Sequence, residues 1–195
     1  MTENFNTEKL KAYDIPLTKW FFRQRDTKAI EMSSKGISID IGCGRGHLTA
    51  KRKETVGVDL SPNLVDIKKK HRNRDFVRCN AEYLPFRGES FENVFLLDAL
   101  EHVQDCEKAT KEAKRILKKD GSLILSLPNE NYFYKVFSKL FRTFYGGPYP
   151  PDLHSYDYVK DVVSKRFDKI DTQYIPKIPS FFKLWEISKY KSRKK

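Results

Sequence analysis

One short stretch holds an aspartate and three alternate glycines, Asp40-x-Gly42-x-Gly44-x-Gly46, at the end of the β-branched run "ISIDI". Glycines after a strand permit positive φ and let the backbone approach a ligand. A dinucleotide turn would read G-x-G-x-x-G, and counted from Gly42 its last glycine falls on His47, so that pattern fails. A carboxylate inside the turn also repels a pyrophosphate and suits a ligand with positive charge nearby. Further along, Asp59 closes "VGVDLS", where it can accept both hydroxyls of a ribose or cap the next helix. Asn80 in "CNAEYLPF" can bond an adenine edge with Ala81 packed beside it, or can simply form a turn. "LLDALEHV" supplies Asp98, Glu101 and His102, and "DLHSYD" supplies His154.

The elements that must position these groups follow from pattern. "NTEKLKAYDIPLTKWFFRQRDTKAIEM" reads as one or two helices with a break near Pro16. Ile37 to Ile41, "TVGVDL", "DFVRCN" and "NVFLLD" read as strands, the last a nearly continuous apolar run suited to burial on both faces. "GHLTAKRK" starts a short helix, and "SPNLVDIKKKH" another, with Ser61 as N-cap and Pro62 at the first helical position. "CEKATKEAKRILKK" aligns Ala109, Ala113, Ile116 and Leu117 on one face; Gly121 then ends the helix before a strand from Leu123 to Leu127. Strand and helix alternate in this way along the first two thirds of the chain. That alternation predicts a doubly wound, parallel sheet with helices on both faces, in which ligands sit beyond the carboxyl ends of the strands. "NYFYKVFSKLFRTFY" and "SYDYVKDVVSKRF" read as helices and "KIDTQYIP" as a strand, while "FFKLWEISKYK" fits strand or helix.

In order and spacing, "DIGCGRG", "VGVDLS", "NAEYLPFRGESFENVFLLDALEHV" and "RILKKDGSLILSLPN" resemble the successive motifs of class I S-adenosylmethionine-dependent methyltransferases of the type 11 group, over about residues 36–129. That cofactor, with an ammonium and a sulfonium, is of the kind Asp40 favours. The resemblance implies a three-layer αβα sandwich around a mostly parallel, seven-stranded sheet. Its last strand would be antiparallel and inserted between the fifth and sixth, which makes "FFKLWEISKYK" that strand. It also implies one methyltransferase domain over 1–195: N-terminal helices to 35, a cofactor-binding core over 36–129, a lid-like insertion over 130–154, and a C-terminal helix and strands over 155–195. Asp40, Gly42, Cys43 and Gly44 would line the methionine moiety, Cys43 through its backbone. Asp59 would hold the ribose beside Leu60, Asn80 and Ala81 would border the adenine, and Leu97 and Asp98 would lie on the sulfonium side. Two positions depart from the family's habit, Asn80 and Glu92 standing where aspartate is frequent.

Methyl transfer needs alignment and exclusion of water, and oxygen or nitrogen acceptors often need a base. His102, Glu101 and His154 are the candidates. Two related subfamilies, ubiquinone-pathway O-methyltransferases and small-RNA 2′-O-methyltransferases, bind a divalent metal through E-x-x-E-H at this place. The matching set here would be Asp98, Glu101, His102 and His154, an alternative to a reaction without metal.

The segment from Tyr132 to Tyr145 aligns Phe133, Phe137, Leu140, Phe141 and Phe144 on one helical face. It suits a lid, a greasy acceptor or stacked RNA bases. The net charge is +12, and residues 129–195 carry 14 Lys/Arg against 7 Asp/Glu, so RNA or an anionic membrane surface is a possible partner. A small-molecule acceptor is favoured over RNA, because the chain has little beyond the catalytic core. A non-catalytic cofactor-binding subunit is a third reading, and it predicts a degraded cofactor motif. No apolar run spans a membrane and no signal pattern opens the chain, so a cytoplasmic monomer or homodimer with three reduced cysteines is expected.

Overall fold

The computed structural model describes residues 15–129, 131–132, 134–136, 139, 153–176 and 183–193. Helix α1 spans Pro16–Met32, followed by β1 (Ser38–Ile41), α2 (His47–Lys51), β2 (Thr55–Asp59), α3 (Leu64–Lys70) and β3 (Asp75–Arg78). Then come β4 (Phe91–Leu97), a 3-10 turn at Leu100–His102, α4 (Cys106–Ile116), β5 (Leu117–Pro128), α5 (Tyr156–Ser164), β6 (Phe167–Ile175) and β7 (Trp185–Ser192). The strands form a seven-stranded sheet in the order β3-β2-β1-β4-β5-β7-β6. β7 runs antiparallel to β5 and β6, and β1 to β5 pair in parallel. The ambiguous segment "FFKLWEISKYK" is therefore a strand from Trp185 onward; most of the aromatic run 132–145 lies outside the described residues.

Strand alternation sorts the core into two layers. Ile39, Ile41, Val94, Leu96, Leu123 and Leu125 face α4 and α5, meeting Ala109, Ala113, Ile116, Val159, Val162 and Val163. Phe95, Leu97, Ile124 and Ile187 face the other way, onto Ala29 and Met32 of α1 and Leu48 of α2. Leu64 of α3 completes that layer at the sheet edge with Cys43 and Phe76. Asp40 alternates with Ile39 and Ile41, so it leaves the sheet on the α1–α2 side. This is the side that β1 and β4 present to the N-terminal helix.

Two local expectations fail for identifiable reasons. Ser61 does not cap a helix starting at Pro62; α3 begins at Leu64. Asp59 Oδ1 accepts the Ser61 N–H at 2.8 Å and Ser61 Oγ accepts the Asn63 N–H at 3.2 Å, so the chain makes two side-chain turns first. Gly121 does not end α4 either. The helix stops at Ile116, and Leu117 already pairs with Phe91 of β4 before the register shifts to Asn93 opposite Ser122. A Cβ on Gly121 would sit 2.6 Å from Leu117 Cδ1, so its small size serves packing there.

Insertion of β7 rests on a buried carboxylate. Glu186 accepts hydrogen bonds from Lys169 Nζ (2.8 Å), Ser188 Oγ (2.7 Å), Lys160 Nζ (3.4 Å) and the Tyr156 hydroxyl. Burial raises its pKa, but Lys169, Tyr156 and Ser188 outweigh this and hold it down at about 2. A depressed carboxyl stabilises the fold above its unfolded pKa, so this contribution is present at neutral pH and is lost as pH falls towards 2. Glu186→Ala strands two lysines and a hydroxyl around an empty site. It should cost about 2 kcal/mol in a urea titration at pH 7, and the deficit should narrow below pH 4. An unchanged midpoint at pH 7 would show the cluster to be ornamental.

Candidate functional site

The glycine turn closes the carboxyl end of β1. Gly42 and Cys43 both donate to Val58 O, at 2.8 and 3.0 Å, which ties the turn to β2. Gly44 has φ +49 and no heavy atom within 4 Å of a Cβ built on it, so the turn is open at that point. Gly46, at φ +70, differs: its Cβ would lie 2.8 Å from the Phe76 ring. One glycine leaves room, and the other serves packing. Asp59 Oδ2 accepts the Gly44 N–H at 2.8 Å, so the turn and the end of β2 are held together by the carboxylate itself.

Beneath the turn lies a buried charge network. Asp40 is 3% exposed and accepts a hydrogen bond from Thr49 Oγ1 at 2.9 Å. Burial pushes its carboxyl up to about 7, against the Thr49 bond and with help from the negative Asp26. From α1, Arg25 Nη1 reaches Asp98 Oδ2 at 2.8 Å and Nη2 reaches Asp26 Oδ1 at 2.9 Å. Lys51 Nζ meets the other Asp26 oxygen at 3.1 Å, and the Ser126 hydroxyl donates to Asp98. Burial opposes the Arg25 charge, but Asp98 and Asp26 prevail and hold it protonated. Asp98 takes φ +53, a left-handed conformation that an aspartate tolerates at modest cost. Its N–H donates to Ser126 O at 3.1 Å, so both ends of the residue are fixed to β5.

On the other side of β4, the 3-10 turn carries Glu101 and His102. The Glu101 carbonyl accepts the N–H groups of Leu153 and His154 at 2.8 and 3.3 Å. His154 Nε2 lies 3.0 Å from Val103 O. A carbonyl only accepts, so Nε2 carries the proton and Nδ1 is left as a base. The ring stacks on Tyr158 at 5.0 Å. Between α1 and the start of β7, Trp185 packs on Phe21 at 4.3 Å and meets Tyr134 edge-on at 5.1 Å, an aromatic wall beside the carboxyl end of β5.

Residues 39–125 match the family model described as a methyltransferase domain. The sheet order, with its antiparallel seventh strand, is that of the class I methyltransferase fold. A demethylmenaquinone methyltransferase of Thermotoga maritima is 29% identical over 160 residues, covering 75% of this chain and 69% of that protein. Among solved structures, a S-adenosylmethionine-dependent methyltransferase from the same organism, described as a possible histamine N-methyltransferase, superposes with a TM-score of 0.71 at 24% identity. It covers 93% of this chain and 97% of its own. The N-methyltransferase NodS of Bradyrhizobium japonicum, in complex with S-adenosyl-L-homocysteine, gives 0.70 at 13% identity, over 97% and 94% of the two chains. Several curated relatives are longer: this chain spans about half the length of the first of them, 48%.

Within this fold, Asp40, Gly42, Cys43, Gly44, Asp59, Leu60, Asn80, Ala81, Leu97 and Asp98 lie at or beside the carboxyl ends of β1 to β4. Leu60 is 61% exposed just beyond β2. Asn80 Oδ1 accepts the Glu82 N–H at 2.9 Å, so it does form a turn. The four residues of the metal alternative are not gathered together. Asp98 belongs to the Arg25 network, and no group of three or more His, Cys, Asp or Glu among the described residues could hold a metal ion. Burial raises the Cys43 thiol, and Cys79 and Cys106 are pushed up to about 11, so all three thiols stay protonated at neutral pH. Sequence reasoning missed Arg25, Asp26, Lys51 and Ser126. A signal was present: Phe22, Asp26, Ala29 and Met32 follow helical spacing, so a charge sits on the apolar stripe of α1.

A carboxyl whose pKa is raised by folding destabilises the fold as pH rises. The native state binds the extra proton between the unfolded pKa near 4 and about 7, and stability falls across that window. Asp40→Asn should therefore raise stability by roughly 2–4 kcal/mol at pH 8 and by little at pH 4. Thermal melts at the two pH values check this; equal gains at both would refute the raised pKa.

Proposed function

We propose that the protein transfers the methyl group of S-adenosylmethionine to an O, N or C nucleophile on a small or lipid-like acceptor. The observation that carries the reading is a buried carboxylate, Asp40, beneath the open Gly44, with the guanidinium of Arg25, bonded to Asp98, within electrostatic reach of it. A zwitterionic methionyl group needs both signs of charge. The residues present fit: burial of Asp40 is not offset by a cation bonded to it, and the turn has room where Gly44 stands. Asp40 and the turn would hold the ammonium side, and Arg25 the carboxylate. Asp59 would accept the ribose hydroxyls, and Leu60, Asn80 and Ala81 would frame the adenine, with Leu97 and Asp98 on the sulfonium side.

When bound, S-adenosylmethionine supplies a methyl group on a positively charged sulfur, already activated for in-line displacement. The protein then aligns the acceptor and excludes water. Phe21, Tyr134 and Trp185 form an apolar wall suited to a flat or greasy acceptor. His154, with its proton fixed on Nε2, can take an acceptor proton at Nδ1, and its backbone is tied to the Glu101 carbonyl of the turn that carries His102. A second reading, an RNA acceptor, draws support from the exposed basic side chains of α3.

Calorimetry with S-adenosylmethionine tests the cofactor assignment. Asp40→Ala and Asp59→Ala should each weaken binding at least tenfold. In the wild type, affinity should rise as pH goes from 6 to 8, because Asp40 must ionise to face a cation. No binding by the wild type, or normal binding by both variants, would sink the assignment. Labelled-methyl transfer to cell extract, separated into small-molecule, lipid, protein and RNA pools, identifies the acceptor class. With that acceptor, His154→Ala should cut turnover 10²–10⁴-fold with cofactor affinity unchanged if His154 is the base. Unchanged turnover would remove it from that role.

A further inference from the structure

The segment 45–78 carries ten Lys/Arg against four Asp/Glu, a denser excess of positive charge than the C-terminal third. The fold gathers it onto one surface. Gly46 at the head of α2 abuts Ile67 of α3, so the two helices are neighbours at the β3 edge of the sheet. Arg74, in the α3–β3 connection, donates from Nε to Thr49 O and from Nη2 to Ala50 O, both at 3.1 Å, which pins that connection against the last turn of α2. His47 has its pKa lowered, first by burial and then by Arg45, Lys70 and Lys51, so these cations share one neighbourhood that reaches the glycine turn.

Part of the charge is compensated. Lys51 pairs with Asp26, Lys69 with Asp66 at 3.2 Å, and Asp59 is turned into the site. Lys53, Lys68, Lys70 and Arg72 are exposed and make no ion pair among the described residues. A cation or two at a helix C-terminus answers the helix dipole, but α3 is seven residues long and ends in three lysines followed by His71 and Arg72. Such a surface repels itself and is relieved by a polyanion.

We propose that the α2–α3 face docks the phosphate backbone of a nucleic acid. A membrane surface fits less well, because a helix that lies on lipid must bury an apolar face there. The apolar side chains of α3, Leu64 and Ile67, are spent on Phe76 and Cys43, and the exposed Val65 is a single aliphatic side chain rather than an apolar face. Among the described residues of segment 45–78 no exposed aromatic stands with the cations to stack on bases, so contact there is to phosphates and is independent of sequence. The proposal does not depend on which acceptor is methylated.

The test is fluorescence anisotropy with a labelled 20-nucleotide single-stranded RNA, and with DNA of the same sequence, from 50 to 300 mM salt. The triple variant Lys68→Gln, Lys70→Gln, Arg72→Gln should bind at least tenfold more weakly at 100 mM salt. Its slope of log affinity against log salt should be shallower by about 2, near 0.7 for each cation removed. A control with the same charge loss elsewhere, Lys35→Gln, Lys111→Gln, Lys119→Gln, should change affinity less than threefold. Unchanged calorimetric binding of S-adenosylhomocysteine, or an unchanged thermal melt if that ligand does not bind, shows that the triple variant is folded. Absence of wild-type binding to both RNA and DNA overturns the proposal. So does equal weakening by the two triple variants, or loss of binding to phosphatidylglycerol vesicles by the first variant while RNA and DNA affinity stays unchanged.

Discussion

Arg25 and Lys51 bond Asp26 and Asp98 at the N-terminal helix, and a third carboxylate, Asp40, lies within electrostatic reach of Asp26 and Arg25. Buried charge must be matched, or it is neutralised by a shifted pKa. Here both outcomes occur. Asp26 and Asp98 are matched by Arg25 and Lys51, while Asp40, with only the Thr49 hydroxyl, is pushed up to about 7. The position of α1 depends on this balance. The helix buries few apolar side chains, Ala29 and Met32 among them, and the bridges that leave it, Arg25–Asp98 and Lys51–Asp26, fix its rotation over the ends of β1 and β4.

The same constraint explains why the turn is built as it is. Asp40 must leave the sheet on the α1–α2 side, and the chain must then reverse immediately to start α2 over it. Positive φ at Gly42, Gly44 and Gly46 makes that reversal within a few residues. Asp59 then receives the Gly44 and Ser61 N–H groups, one on each oxygen. A single carboxylate thus holds the turn and the start of the next connection, and each of its oxygens has the capacity to accept from a further donor. Asp59 is thus a turn former rather than the cap of α3, and that role is compatible with the ribose contact proposed for it.

Much of the sheet was legible because the parallel strands are buried on both faces and read as apolar runs, as in Val94 to Leu97. β7 was not, and the reason is specific. Its core-facing positions include Glu186 and Ser188, polar residues that are buried because Lys160, Lys169 and Tyr156 meet them. Burial of paired polar groups removes the period-two signal on which strand recognition rests. The ends of α3 and α4 were misread because local cap rules lost to side-chain turns at Asp59 and Ser61 and to early pairing of Leu117 with β4. In the site, Asp40, the glycines and Asp59 lie within twenty residues and declare themselves by spacing. Arg25 and Asp98 meet only through folding, 73 positions apart, so spacing carries no trace of their contact.

On the proposed assignment, the excess of carboxylate over cation has a functional direction. Asp26 and Asp98 are matched by Arg25 and Lys51, so once the neighbouring Asp40 ionises it adds one negative charge with no cation bonded to it. A cofactor with a carboxylate, an ammonium and a sulfonium brings one net positive charge, and the balance closes. The product formed by loss of the methyl group has no sulfonium charge, and the balance opens again. Asp40 can then regain a proton at pH 7, since its pKa in the unliganded fold lies there. The site is thereby more complementary to the charged substrate than to the neutral product, an inequality that favours exchange after transfer. Replacing Arg25 by a neutral residue would leave two uncompensated charges instead of one, and would disturb this discrimination as well as the seat of α1.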